Sequence, residues 1–243
     1  MVAPMHDHPM RDHVAPALSW SAAALLADGR FPSGGHAHSG GYEAASAVFD
    51  VDTADGLRRY LRGRLGTSGA ADAAIIAGAM SRLRAPEAVD WAELDAEAEA
   101  RIASPVLRAV SRALGRHWLR AGLRVWPTPA LRALESSSPT GPHQAIAFAA
   151  VADAAGLHPR IAVVVHLHHM AAAPAAAAVR LHGLDPFEVQ RAQAAMGGLI
   201  DQIAEQSWAK ADAPWEALAA PSGLLTDLLA EEHARWDLRL FQS

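Results

Sequence analysis

His36 and His38 form an H-x-H pair inside the segment LADGRFPSGGHAHSGGYE, residues 26–43. In an extended stretch alternate side chains face the same way, so both imidazoles could reach one metal ion, with Asp28 or Glu43 as a third ligand. Such a set would suit a metal-dependent hydrolase. The competing role for loop histidines is hydrogen bonding to backbone, and a structural or interface role is the favoured reading. Ser39 beside His38 invites a nucleophile–base reading. Adjacent residues seldom face each other productively, however, and no G-x-S-x-G elbow occurs.

Other donor-rich groups lie elsewhere. His166 and His169 are one helical turn apart and share a face, while His168 points away. In so apolar a run they read as satisfied core or interface groups. Glu93, Asp95, Glu97 and Glu99 alternate, which spreads them around a helix as a solvated face rather than an acid–base pair. In residues 1–16, His6, His8, His13, Met5 and Met10 offer imidazole and thioether donors that could weakly capture nickel or copper. That segment reads as a disordered leader and not as a signal peptide, because it has no uninterrupted apolar core.

Composition narrows the classes. The chain has 243 residues, 51% of them hydrophobic, enough for a sizeable core. A net charge of −5 argues against nucleic acid or an anionic membrane as the main partner. Cysteine is absent, so no disulfide framework or thiolate site exists, which fits a reducing cytoplasm. Lys210 is the single lysine and lies in SWAKADAP, so there is no G-x-x-x-x-G-K-[ST] loop to cradle phosphates. Residues 161–179 carry no Asp, Glu, Lys or Arg, yet three histidines, Pro174 and weakly partitioning alanines make a buried helix pair the better reading than a membrane span.

The elements that must position these residues are helical. Alanine, leucine and arginine dominate, and one all-α domain, a bundle of about ten helices over residues 17–243, is expected. Helices are expected over 19–27, 41–49, 54–65 and 70–83. Ser104-Pro105 opens a long one to about 125, and Thr128-Pro129 opens a short one, each with a capping hydroxyl before proline at the first helical position. Asp185-Pro186-Phe187-Glu188 reads as a capping-box analogue for a helix whose stripe runs Val189, Ala192, Met196, Leu199, Ile200, Ile203. Residues 136–142 form a loop, and a last helix covers 222–236. Glycine pairs at 34–35 and 40–41 shape the turn between the first two helices.

Three segments resemble one family. Leu26, Asp28, Pro32, Gly34, His38, Ser39, Gly41 and Glu43 match the pattern L-x-D-x-x-x-P-x-G-x-x-x-H-S-x-G-x-E, which resembles the N-terminal signature of the urease accessory protein F family, UreF. AAAAVRL, ending on Arg180 and Leu181, resembles its internal A-x-V-R-L segment. HGLDPFEVQ then replaces the usual P-L-G-Q, which affects residues 182–190. At the end, His233, Arg239, Leu240, Phe241 and Ser243 match a helix with histidine leading to R-L-F-x-S. An exposed Leu-Phe pair at a chain end reads as an anchor for a partner.

The resemblance implies an all-α, dimerising, non-enzymatic scaffold in urease maturation, with no cofactor of its own. It implies that the C-terminal region binds the accessory protein called D or H. It further implies recruitment of the nickel-carrying GTPase G, so that the assembly handles nickel for apo-urease. The partner-binding set it points to is Pro32, Gly34, His38, Ser39, Gly41, Glu43, Arg180, His233, Arg239, Leu240 and Phe241. Residues 239–241 are assigned to the D/H partner, and the loop and Arg180 to dimerisation or GTPase docking.

Overall fold

The computed structural model describes residues 19–241. The histidines and methionines of residues 1–16, and Ser243, lie outside the described residues. The described chain is all-α, without a strand. Its helices are α1 Trp20–Ala27, α2 Tyr42–Ser46, α3 Ala54–Arg64, α4 Ala70–Arg84, α5 Trp91–Ala100 and α6 Pro105–Val125. They continue with α7 Pro129–Ser137, α8 Gln144–Ala154, α9 Pro159–His182, α10 Pro186–Ala194, α11 Gly197–Trp208 and α12 Leu224–His233.

Helix starts follow the expected cap chemistry. Ser104 Oγ accepts from Leu107 N at 3.1 Å and Thr128 Oγ1 from Leu131 N at 3.3 Å, each with proline next in sequence. Asp185 accepts from Phe187 N at 3.0 Å, but Glu188 pairs with Arg191 instead of completing a capping box.

The core is built around α4, α8 and α9. Residues 145–152 of α8 are all buried, so this helix is covered on every side. It packs on α6 and α4, while α9 lies against α4, α11, α10 and α1. Alanine-rich faces let these axes approach closely. Where α6 crosses α8, a Cβ on Gly122 would lie 2.4 Å from Val151 Cγ2, so only glycine fits there. α12 packs on α2 and α6, at the end where residues 28–41 join α1 to α2.

Four expectations need correction. The run 161–179 is not a helix pair but part of one 24-residue helix that continues through Pro174. It is long and apolar enough to cross a membrane, yet its Ala162, Val163, Leu167, Ala171, Ala175 and Ala178 are core. The stripe from Val189 to Ile203 belongs to two helices, α10 and α11, broken beside Met196 where Gly197-Gly198 follows. Residues 70–83 continue the helix before them rather than restarting it, the first of the two outcomes the sequence allowed, because a π-helical turn, Leu65–Gly69, joins α3 to α4. Ser136 and Ser137 complete α7 rather than lying in a loop. The last helix is shorter than 222–236, running Leu224–His233.

Candidate functional site

The loop that follows α1 is held by its own side chains. Arg30 N donates to Asp28 Oδ1 at 2.9 Å, and the Arg30 guanidinium pairs with the same carboxylate. Those hydrogen bonds hold the Asp28 carboxyl down to about 2. Phe31 stacks on Trp118 at 5.1 Å and on Trp126 at 6.1 Å, fastening the loop to the second half of α6. Gly34 backs onto the His117 ring, and Pro32 beside Phe31 is exposed. Residues Gly35–Ala37 then form a 3-10 turn.

That turn removes the basis for the H-x-H metal pair. The segment is not extended, and it leaves His36 exposed while His38 is buried. Asp28 is committed to Arg30, and Glu43 to the contacts below. Ser39 is fully buried and its Oγ accepts from Glu43 N at 3.3 Å, which caps the start of α2 rather than presenting a nucleophile. Gly41 has φ +83°, and a Cβ there would lie 2.9 Å from the Tyr60 hydroxyl. That hydroxyl donates to Gly40 O at 2.6 Å. The turn into α2 is thus sterically reserved for glycine.

Glu43, two residues beyond Gly41, is 8% exposed. Its Oε1 accepts from Leu240 N at 2.9 Å and its Oε2 from Phe241 N at 3.0 Å. His233 Nε2 donates to the same Oε2 at 3.1 Å. A buried carboxylate is costly unless its oxygens are hydrogen-bonded, and three donors meet that need here. Two of them are consecutive backbone N–H groups, so Glu43 grips the chain end by its main chain, whatever side chains it carries.

The tail is correspondingly split. Phe241 is 5% exposed, beneath the Arg180 guanidinium, which stands 4.5 Å from its ring centre. Leu240 is 73% exposed and Leu238 is 89% exposed. The expected exposed Leu-Phe pair is therefore corrected: Leu240 faces out, whereas the Phe241 ring is buried beneath Arg180. His233 is buried, edge-on to Trp236 at 4.7 Å. A cavity of about 310 Å³ lies under the loop, with His38, Arg64, Asp72, Trp118, His169 and Phe241 in its wall.

Two α9 histidines turn into the core, although His166 Nδ1 is buried without a hydrogen-bond partner among the described residues. His166 pairs with Asp72 at 3.0 Å, and His169 Nε2 donates to Leu26 O at 2.6 Å. His168 is exposed. Burial holds His169 below the usual imidazole range.

The acidic run on α5 is not a solvated face. Glu93 accepts from Trp215 Nε1 at 3.1 Å, and Glu97 pairs with Arg101 at 2.6 Å. Asp95 and Glu99 both bind Arg112, and with His143 they form a group of metal-type donors. The Arg112 guanidinium fills the place a cation would take. His143 is kept below its ordinary value first by burial and then by Arg112, so it is neutral. Its Nε2 donates to Glu99 at 3.3 Å and its Nδ1 accepts from Ser111 Oγ at 3.1 Å. Period-two spacing hid this, because the partners come from α6 and the start of α8.

Known proteins resolve which family carries this arrangement. The UreF family profile matches residues 51–197. Over 226 residues the chain is 38% identical to the urease accessory protein UreF of Mycolicibacterium vanbaalenii, covering 93% of this chain and 99% of that protein. It is 35% identical over 218 residues to the UreF of a Mycobacterium species (strain JLS), covering 90% and 96% respectively. The chain belongs to the UreF family. The profile match ends short of both signatures. Of the eleven residues that the UreF resemblance singled out, Glu43, Arg180, His233, Leu240 and Phe241 meet directly. Arg239 lies beside them in the tail, and His38, Ser39 and Gly41 shape the approach to Glu43. Pro32 and Gly34 sit apart, on the α6 side of the loop. Tyr60, Pro174 and Trp118 also position this loop, against Gly40 and Phe31, and nothing in their sequence context distinguished them from ordinary core residues.

Proposed function

We propose that this UreF-family chain is a non-enzymatic scaffold of urease maturation, linking the D/H accessory protein to the nickel-carrying GTPase G and regulating nickel insertion into apo-urease. The observation that carries the reading is the clamped tail. Glu43 fixes residues 240–241 so that Leu238 and Leu240 point outward, near a helix, α12, whose Leu224, Leu225 and Leu228 are also exposed. A rigid exposed apolar surface costs little ordering entropy on association, which suits a docking anchor. We assign this surface to the D/H partner, and the 32–43 loop with Arg180 to dimerisation or GTPase docking. The chain works in the cytoplasm as a homodimer and carries no cofactor of its own, nickel being handled by the assembly.

The hydrolase reading has no observation in its favour, since His36 and His38 differ in burial and the carboxylates nearby are already paired. The test is co-purification of the full chain with the D/H and G proteins. Leu240→Ala removes an outward contact and leaves the clamp in place, whereas Phe241→Ala loosens the tail from within. Each should weaken capture of the D/H protein by about 30-fold, the loss expected for ~2 kcal/mol at an anchor. Capture unchanged by both would rule out the tail as the anchor.

A further inference from the structure

Beside the clamped tail runs a groove of about 630 Å³, lined by Val106, Val110, Arg180, Arg239, Leu240 and Phe241, with His36 and Ala37 at its rim. Its apolar lining comes from the first two turns of α6 and from the tail. Val106 and Val110 are only half buried, so the groove offers them to a ligand. The charged groups in its wall are cationic. Arg180 rests on the Phe241 ring, and neither Arg180 nor Arg239 has a carboxylate partner among the described residues. Glu43, the carboxylate that grips the tail, is turned inward, with both oxygens occupied.

This local sign runs against the chain as a whole, whose net charge is −5. Elsewhere among the described residues, ion pairs engage arginines more exposed than half, such as Arg30, Arg191 and Arg235. What sets Arg180 and Arg239 apart from exposed arginines such as Arg124 and Arg132 is their place, together in one groove and flanking apolar side chains. Guanidinium groups over an apolar floor match a peptide segment that carries carboxylates next to an aliphatic or aromatic residue.

We propose that this groove receives an acidic, apolar segment of a protein partner, with its carboxylates on Arg239 and Arg180 and its apolar residue against Val106 and Val110. The segment belongs to the partner that engages the tail, because Arg239 and Leu240 line the groove and form part of the tail at once. The inference thus rests on the tail-docking reading above and adds the chemistry of the docked segment.

The chain's lysine content allows a direct test. In a Lys210→Arg background, Arg239→Lys supplies the one lysine amine of the chain, within the groove. The complex with the D/H protein is treated with a carbodiimide, which joins an amine to a carboxylate only in contact, and the products are mapped by mass spectrometry. Arg239→Lys keeps the positive charge, so the complex should still form, more weakly than with the parent chain, and the new amine should link to an Asp or Glu of the partner. Arg239→Glu should weaken binding about 10-fold or more at low salt, and less at high salt. Because Arg239 is exposed, neither change threatens the fold. A complex that forms while the new amine links to no partner carboxylate overturns the inference, and so does Arg239→Glu binding like the parent. A link to a second copy of this chain overturns it in favour of a dimer contact. If the parent chain itself fails to bind the D/H protein, the docking reading falls first and takes this one with it.

Discussion

Replacing Glu43 with glutamine alters the clamp while leaving its shape. The carboxylate accepts from Leu240 N at 2.9 Å, Phe241 N at 3.0 Å and His233 Nε2 at 3.1 Å. Glutamine keeps one accepting oxygen and presents an NH₂ group in place of the other. With oxygen retained toward Leu240, the NH₂ faces two donors. His233 can shift its proton to Nδ1 and accept, but the Phe241 amide has no such option. One buried backbone N–H is orphaned, at a cost of ~1–3 kcal/mol. The tail can lift while the helices stay folded, so this cost enters the docking equilibrium of the tail rather than the global stability. The undocked fraction should rise by about 5- to 150-fold. Trypsin cleavage after Arg239, followed by mass spectrometry on that bond alone, reads this fraction when docking is fast relative to cleavage. The urea midpoint should move by less than the clamp cost, since the docking energy caps it. Cleavage within twofold of the parent, with helicity unchanged, would refute the claim that Glu43 holds the tail.

Two further outcomes follow from the geometry. Gly41→Ala forces a side chain into φ +83° and places a methyl 2.9 Å from the Tyr60 hydroxyl, so it should cost ~1–3 kcal/mol, seen as a lower urea midpoint with an unchanged m-value. An unchanged midpoint would mean the loop adapts freely. Burial holds His143 and His169 below the usual 6.5, so both stay neutral when folded and gain protons on unfolding. Their contribution is complete above about pH 6.5 and is lost as pH falls from there toward the depressed values. The urea midpoint should therefore drop between pH 7.5 and 5.5, and His143→Gln should flatten part of that slope. A midpoint independent of pH across that interval would contradict the burial argument.

The parts of the fold that a sequence declares are those decided locally. Ser104-Pro105 and Thr128-Pro129 start helices where expected because hydroxyl cap and proline act within one turn. The stripe through Val189 and Ile203 misled because its apolar period survives the break beside Met196, which remains fully buried in the turn. Periodicity reports burial, not continuity. Residues 161–179 suggested two helices because proline usually interrupts one. In α9 the proline is buried near Gly40, and packing on several sides outweighs the lost hydrogen bond. Glu97 has a local partner in Arg101, but the other α5 acids looked solvated because Arg112, His143 and Trp215 lie on other helices or loops, and such pairings have no local signature.

The same distinction governs the site. The loop and the tail were each recognisable as motifs, but their relation was not, since Glu43 and Phe241 are 198 residues apart. Their meeting depends on α2 and α12 packing at one end of the bundle. This contact also changes what the tail is. A chain end usually adds little to a core and can be trimmed freely. Here the Phe241 ring is buried beneath Arg180, and its amide satisfies a buried carboxylate. Removing residues 240–241 would take away two of the three donors to Glu43 and leave His233 as its one remaining partner of those three. Truncation therefore perturbs the 39–43 turn as well as any docked partner, whereas Leu240→Ala, acting on a side chain that faces away from Glu43, isolates the docking surface from the clamp that supports it.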